Sequence, residues 1–297
     1  MATGDSYLVA LDGGGTKCRA RLCDASGTEL AAALGGSANL ATDFEGARDN
    51  VLATIETLYR NAGLDIERRG RDAVFAGLAG CEAGGLARRL ARQLGFGAAH
   101  VTSDREITVQ GALGDDDGVV VLTGTGSFFV NRKGGIEQNV GGWGFVLGDE
   151  AGGAQLGRMA LQRTLHAHDG LIEGSALTRA MLERFGGSPS GLVHFARRAL
   201  PRDFGALAPD VVAAAERGDP VGGRILDDAT AHINRVLERL GADSAPRICF
   251  LGGLGPVFEP RIAARYRPLC RPPRGTALDG AVALGRRAFA DRLTQGT

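Results

Sequence analysis

Three glycine-rich turns, each preceded by a short apolar run, constrain this chain more than any other feature. They read Asp12-Gly13-Gly14-Gly15-Thr16, Thr123-Gly124-Thr125-Gly126-Ser127 and Gly252-Gly253-Leu254-Gly255. Because glycine has no Cβ and tolerates positive φ, such turns let a ligand approach the backbone closely. Their N–H groups suit phosphate oxygens, so three turns far apart in one chain predict a nucleotide held in a cleft between two domains.

The composition limits the classes of partner that this chain is expected to bind. A chain of 297 residues suits two domains of ordinary size. Lys+Arg and Asp+Glu are equal at 34, and aromatic residues make up 5%, so we expect no nucleic-acid partner. The segment 1–6 is short and polar and no apolar run is long enough to cross a bilayer, which predicts neither a signal peptide nor a membrane partner. Five cysteines without a C-x-x-C pair favour a reducing cytoplasm, with the thiols as small buried hydrophobes.

The hydrophobic pattern predicts alternating strands and helices, hence an α/β fold. Strands are expected at 7–11, 19–23, 28–34, 73–78, 100–102, 119–122, 128–131 and 248–251. Helices are expected at 44–60, 86–94, 106–113, from Asp219-Pro220 onward, and from about 279 to 293. The first three strands form an antiparallel meander, and a strand, glycine turn and strand recur at 119, as in a partial duplication. The predicted domains are residues 1–113 with about 280–297, and 114–279.

In order and spacing, these motifs resemble the actin-like ATPase superfamily of sugar kinases, hexokinase-like proteins and chaperone ATPases. Residues 12–16 resemble its first phosphate motif, 122–127 its second, 251–255 its adenosine motif and 279–285 its second connecting segment. The resemblance implies a two-domain, ribonuclease H-like fold with the nucleotide in the interdomain cleft, and ATP and Mg²⁺ as cofactors.

Within the superfamily, the chain resembles the glucosamine kinase and N-acetylglucosamine kinase group of the BadF/BadG/BcrA/BcrD-type ATPases. Residues 18–21, 36–39, 199–204 and 218–220 look like bacterial glucosamine kinases, whereas 141–144 and 148–150 look like N-acetylglucosamine kinases. The implied activity is ATP-dependent phosphorylation of glucosamine at its 6-hydroxyl, with N-acetylglucosamine as the alternative amino sugar. Such kinases are cytoplasmic and often dimeric, so a homodimer is one expected state.

Asp104 is the catalytic base that the resemblance implies. It follows a short predicted strand and opens a helix, and phosphoryl transfer needs a positioned carboxylate more than covalent chemistry. The alternative role is structural, because Ser103 or Asp104 would also suit the N-cap of that helix.

The remaining site residues come from the same motif matches. Asp12 would hold Mg²⁺ through water. The ATP-binding residues would be Asp12, Gly13, Gly14, Gly15, Thr16, Lys17, Gly124, Thr125, Gly126, Ala215, Gly252 and Gly253. The amino sugar would contact Asn39, Asp104, Ser127, Gly142, Trp143, Gly144 and Asp149. Each has a plainer alternative: a tight turn for any one glycine cluster, a solvated side chain for Lys17, a core or surface aromatic for Trp143, and a helix start for Asp149-Glu150.

Two other functions stay open at this point. One is an ATPase that activates a radical dehydratase, whose relatives carry an iron–sulfur cluster on paired cysteines. Here the cysteines are scattered, at Cys18, Cys23, Cys81, Cys249 and Cys270. The other is a sugar-sensing regulator with a helix-turn-helix module, which we do not expect because the first strand already begins at Tyr7.

Overall fold

The computed structural model describes residues 6–294; most of the polar segment 1–6 thus lies outside the described residues. The chain forms two compact units, Met1–Asp116 with Pro273–Thr297, and Asp117–Pro272. The strands are β1 Leu8–Gly13, β2 Cys18–Cys23, β3 Glu29–Gly35, β4 Ala73–Leu78, β5 Ala98–Thr102, β6 Gly118–Thr123, β7 Ser127–Lys133, β8 Ile136–Gly141 and β9 Ile248–Leu251. The helices are α1 Phe44–Asn61, α2 Leu86–Ala91, α3 Asp104–Leu113, α4 Gly153–His168, α5 Ala176–Arg184, α6 Pro189–Ala196, α7 Pro201–Gly205, α8 Ala208–Glu216, α9 Pro220–Arg239, α10 Gly255–Phe258, α11 Ala277–Ala288 and α12 Ala290–Thr294.

The first unit is built on a five-stranded sheet in the order β3-β2-β1-β4-β5. The meander predicted for β1 to β3 is confirmed as antiparallel, while β1, β4 and β5 run parallel. Successive side chains of β1 point to opposite faces. Val9 and Leu11 belong to the core cluster that includes α1, and Leu8 and Ala10 to the cluster that includes Ile107 of α3. Burial on both faces explains why this strand reads as one continuous apolar run.

The second unit repeats this plan with a four-stranded sheet in the order β8-β7-β6-β9. Strands β6 to β8 form an antiparallel meander and β9 runs parallel to β6, so the duplication of architecture is confirmed. Asp219 caps α9, accepting hydrogen bonds from the N–H groups of Val221 and Gly222 at 3.0 Å each. The predicted apolar stripe of α9 is buried in the core of this unit, and includes Ile225, Ala229, Ile233 and Leu237.

Several predicted boundaries were wrong for local reasons. Strand β8 was missed because it is an exposed edge strand with little apolar alternation. Helix α3 begins at Asp104 rather than 106, since Ser103 caps it by accepting the Arg105 N–H at 3.2 Å. Helix α2 ends at Ala91 rather than 94, and a turn follows it. Helix α11 begins at Ala277, before the predicted start. Across the described residues, no helix has both the length and the apolarity to cross a bilayer.

Candidate functional site

The candidate residues of the first unit collect at one edge of its sheet. Strands β1, β4 and β5 are parallel neighbours, so their carboxyl ends lie side by side. The first glycine turn follows β1, and Asp104 follows β5. In parallel sheets this edge is where ligands bind. The topology therefore explains how residues almost a hundred positions apart come to share one surface.

In the first glycine turn, the three glycines have different roles. The N–H of Gly14 donates to the Lys17 carbonyl at 3.0 Å and closes the turn. A Cβ added at Gly14 or Gly15 would meet no atom within 4 Å, so this backbone is open to a ligand. A Cβ at Gly13 would collide with Leu78 and Ala38 instead. Gly13 is thus required for packing, whereas Gly14 and Gly15 present the open surface. Thr16 and Lys17 are both exposed.

Asp12 stands directly opposite Arg19 in the β1–β2 hairpin, and Nη1 of Arg19 lies 3.3 Å from its Oδ2. Burial raises the pKa of the Asp12 carboxyl, and Arg19 and Lys17 oppose that rise. Sequence reasoning assigned no role to Arg19. The signal was available, because residues at equal distances from a hairpin turn pair across the strands.

Asp104 is the first residue of α3 and is not its cap. The capping alternative falls to Ser103, which leaves the Asp104 carboxyl free of that task. Burial, and next the charge of Asp12, raise the pKa of Asp104 to about 6, while Arg105 and the Arg105 N–H lower it. Arg105 is itself paired with Glu82, at 2.9 Å. A partly buried carboxyl of this kind, which is ionised mainly above pH 6, has the properties of a general base.

Asn39 lies in a loop tied to this same edge. Its neighbour Ala38 donates an N–H to Gly14 at 2.9 Å, and Leu40 donates to Ala79 beyond β4, also at 2.9 Å. The Oδ1 of Asn39 accepts the N–H groups of Ala41 and Thr42, at 3.0 and 3.2 Å. These bonds fix the amide plane. They leave Nδ2 as the group that can donate to a ligand.

In the second unit, the second glycine turn joins β6 and β7. The N–H of Gly124 donates to Gly126 at 2.9 Å, and the carbonyls of Gly124 and Thr125 accept from Gly153 and Ala154 at 2.8 and 2.9 Å. The start of α4 is thereby fixed on the turn. A Cβ at Gly124 would meet nothing within 4 Å, so this turn too has one open glycine.

Asp149 lies beside the same turn, against Gly126, where a Cβ would collide with its carboxylate. That carboxylate accepts the N–H groups of Ser127 and Gly144, which lower its pKa, although burial is the larger effect and raises it. Asp149 has φ of 60° and Ala151 of 65°, a region that L-residues seldom occupy. The predicted alternative of a helix start was wrong, because α4 begins only at Gly153.

The segment Gly142–Gly148, here called the Trp143 loop, leads from β8 to Asp149. Gly142 and Gly144 both adopt positive φ, at 74° and 82°, which explains the glycines on either side of Trp143. Trp143 is 78% exposed, so of the plainer alternatives, a core or a surface aromatic, only the core one was wrong. Ser127, one residue beyond Gly126, is buried and its Oγ has no hydrogen-bond partner within residues 6–294.

The third glycine turn follows β9 beside the second one. A Cβ at Gly252, which has φ of 83°, would strike the Thr123 carbonyl, while Gly253 is open. The Leu254 N–H donates to that carbonyl at 3.0 Å. The structure thus brings the second and third turns together. Ala215 lies at the end of α8, a helix that packs on α9, and its role next to an adenosine stays a prediction.

The cysteines are the residues that would hold the iron–sulfur cluster of the ATPase alternative. All five are free, and burial raises the pKa of Cys18 to about 12 and those of Cys23, Cys81 and Cys270 to about 11. In the portion of the chain that the structure describes, no three His, Cys, Asp or Glu side chains are grouped so as to hold a metal ion.

Comparison with known proteins places the chain in a family. The sequence pattern of the BadF/BadG/BcrA/BcrD ATPase family matches residues 9–255. The chain belongs to this family. A glucosamine kinase of Vibrio cholerae is 30% identical over 278 residues, which are 93% of this chain and 95% of that protein.

Solved structures support the same placement. A Chromobacterium violaceum protein, crystallised under the provisional name N-acetylglucosamine kinase, is 35% identical with a TM-score of 0.87, over 95% of this chain and 99% of that one. A glucokinase of the ROK family from Streptomyces griseus, determined with glucose and AMPPNP, shares the fold at 17% identity and a TM-score of 0.57, over 95% and 100% of the chains. The predicted α/β fold of the actin-like ATPases is confirmed.

Proposed function

We propose that this member of the BadF/BadG/BcrA/BcrD ATPase family is an ATP-dependent amino-sugar kinase that phosphorylates glucosamine at its 6-hydroxyl. Its likeness to the Vibrio cholerae glucosamine kinase covers 93% of the chain and supports the substrate class. The observation that carries the proposal is the environment of Asp104, a partly buried carboxyl with a pKa of about 6 beyond the carboxyl ends of the parallel strands β4 and β5. In this role Asp104 accepts the proton of the 6-hydroxyl as the phosphoryl group is transferred.

The glycine turns fit ATP. Gly14, Gly15, Gly124 and Gly253 are open glycines at turns after strands, and their backbone offers the close approach that phosphates need. Thr16 and Thr125 would add hydroxyl donors to the phosphates and Lys17 a positive charge. ATP, when bound, supplies the phosphoryl group. The adjoining residues Gly13, Gly126 and Gly252 shape the turns by packing, as their close contacts indicate.

Mg²⁺ fits next to Asp12. Mg²⁺ in kinases keeps several waters and uses one or two carboxylates together with substrate phosphates. Asp12 and Asp104 are close enough for the charge of one to raise the pKa of the other, so a cation at this point offsets their repulsion. The ion, when bound, neutralises developing charge on the phosphates. Asp12 would hold it through water, since Arg19 already occupies one side of the carboxylate.

The sugar would be oriented by groups with unused hydrogen-bonding capacity. Asn39 would donate through Nδ2, Ser127 would supply its unpartnered Oγ, and Asp149 would accept sugar hydroxyls. Trp143, between Gly142 and Gly144, would form a wall of the sugar pocket. Its exposure leaves its ring available for contact with a sugar.

The decisive experiment identifies the product. Purified protein is incubated with ATP and Mg²⁺ and, in turn, glucosamine, N-acetylglucosamine, glucose and no sugar, and the products are analysed by mass spectrometry and NMR. We expect glucosamine 6-phosphate, and ATP turnover that depends strongly on the sugar. ATP hydrolysis that is equally fast without sugar, with no sugar phosphate formed, would contradict the kinase proposal and favour an ATPase without a sugar substrate.

N-Acetylglucosamine is the second candidate substrate. The likeness to the Chromobacterium violaceum protein at 35% identity favours it, as do the glycines around Trp143. The ratio of kcat/KM for the two amino sugars decides between them. The homodimer and the cytoplasmic location implied by the resemblance are part of the proposal, and light scattering after size-exclusion chromatography tests the former.

A further inference from the structure

Gln155, on the first turn of α4, makes an unusual pair of contacts with the Trp143 loop. Its Nε2 donates to the carbonyl of Phe145 at 2.8 Å and to that of Gly148 at 2.7 Å. A glutamine amide has two N–H donors on one nitrogen, so both are used. Because both partners are carbonyl oxygens, only Nε2 and not Oε1 can face them, which fixes the orientation of the amide.

Besides these two bonds, the Gly144 N–H donates to the Asp149 carboxylate and so gives the loop a further hydrogen bond. Val146 and Leu147 are 81% and 85% exposed, so these two side chains add almost no stability to the loop through apolar burial. Behind it opens a cavity of about 340 Å³, lined by these two residues, Gln155, Met159 and His232, among others. Phe145 packs on Phe204 with ring centroids 5.0 Å apart and is the one side chain of the loop with a substantial apolar contact.

The helix that carries Gln155 is itself fixed. The N–H groups of Gly153 and Ala154, its two predecessors, donate to the second glycine turn. The start of α4 therefore connects two segments. The backbone of Gly153 and Ala154 contacts the glycine turn, and the side chain of Gln155 contacts the Trp143 loop. Asp149 completes the connection by accepting N–H groups of Ser127 and Gly144.

We propose that Gln155 is the positioning residue of the Trp143 loop, and that its two hydrogen bonds set the loop in the conformation that binds the sugar. This inference rests on the proposed kinase function for its effect on the sugar, but its effect on the loop does not depend on that function. Without these bonds the loop samples several conformations, and substrate binding must then order it. The cost appears in the KM for the sugar and leaves the KM for ATP unchanged.

Two variants and one control test this role. Gln155→Met keeps the side-chain length and removes both donors; Gln155→Glu keeps the shape and presents a carboxylate to two carbonyls. Gln162→Met is the matched control, because Gln162 lies exposed on the same helix. We expect the KM for the amino sugar to rise about tenfold or more in both Gln155 variants, more in Glu than in Met, and to stay unchanged in the control.

The loop can be observed directly because Trp143 is the only tryptophan of the chain. Time-resolved fluorescence anisotropy without substrates should show a larger sub-nanosecond component in both Gln155 variants than in wild type and Gln162→Met. Unchanged thermal unfolding and unchanged KM for ATP exclude a general loss of structure.

The outcomes separate the two proposals. If wild type phosphorylates no sugar, the kinase proposal fails and the anisotropy alone decides whether Gln155 fixes the loop. If wild type is active but anisotropy or sugar KM matches wild type in both Gln155 variants, Gln155 is not a positioning residue. If both variants instead unfold at a much lower temperature and the KM for ATP rises as well, Gln155 serves stability and the inference is overturned.

Discussion

Arg19 and Asp12 face each other across the β1–β2 hairpin, and their side chains meet at 3.3 Å between Nη1 and Oδ2. The pairing places a fixed cation next to the carboxylate proposed to hold Mg²⁺. Arg19 thus has two opposing effects on the site. It opposes the rise in the pKa of Asp12 that burial causes, and it competes with a metal ion for the same oxygen atoms.

These two effects predict that removing Arg19 changes the half-saturating Mg²⁺ concentration by an amount that depends on pH. In Arg19→Leu the competing cation is gone, so at pH 8 the half-saturating Mg²⁺ concentration should fall about two- to fivefold, as expected for a partly exposed pair. At pH 6 that advantage should be smaller, because the pKa of Asp12 rises further when Arg19 no longer opposes the effect of burial. Activity is titrated with Mg²⁺ at both pH values, with Arg19→Lys as control. Identical Mg²⁺ titration curves for Arg19→Leu and wild type at pH 8 would contradict the expected competition between Arg19 and a metal ion at Asp12.

Gly14 and Gly13 should respond to alanine in opposite ways. Gly14 has an open Cβ direction, so Gly14→Ala should unfold no more easily than wild type but raise the KM for ATP at least about tenfold, because the methyl blocks phosphate approach. Gly13→Ala should lose about 1–3 kcal/mol of stability, since its Cβ meets Leu78 and Ala38. Thermal unfolding and ATP kinetics measure both.

Gly70→Ala is the control for this pair. Gly70 is also open and precedes β4, at the end of the sheet away from the glycine turn. It should match wild type in both measurements. Normal ATP affinity in Gly14→Ala would show that the first glycine turn does not contact phosphates.

Much of this architecture could be predicted from the sequence, because apolar runs, glycine turns and a helix cap occur in the order that an α/β fold requires. The buried runs at β1, β4 and β9 and the Asp219-Pro220 start of α9 were confirmed, since burial on both faces and helix capping leave patterns in consecutive residues. Strand β8 was missed because an exposed edge strand leaves no such pattern. The parallel order of the sheets followed only once the structure was known.

The details of the site depend on long-range contacts that sequence patterns do not report. The role of Gln155 was not predicted, because its carbonyl partners at Phe145 and Gly148 carry no sequence signal. The positive φ of Asp149 was likewise not predictable, since the residue type permits but does not require it. Asp104 was assigned from the family resemblance, and the structure adds the burial that raises its pKa.

The pKa of Asp104 predicts the pH dependence of the reaction. A general base acts in its ionised form, so kcat/KM for the sugar should fall about tenfold per pH unit below about pH 6. Arg105 lowers this pKa and Glu82 raises it. In the plot of kcat/KM against pH, Arg105→Gln should therefore move the acidic limb to higher pH, and Glu82→Gln should move it to lower pH. A limb that does not move in either variant would assign the titration to another group.

Asp104 should also show a conflict between activity and stability. Its folded-state pKa of about 6 lies above the ordinary 3.8, so folding is favoured by the protonated form and stability declines as pH rises from about 4 through 6. The difference of about two pKa units corresponds to a cost of up to about 3 kcal/mol at pH 8.

Asp104→Asn removes this cost, so the variant should be more stable than wild type at pH 8 and closer to it at pH 4. Its turnover should fall about a hundred- to ten-thousand-fold while ATP still binds. Urea unfolding at both pH values, with kinetics and calorimetry, measures all three; a variant that is less stable at pH 8 would show that the Asp104 charge stabilises the fold.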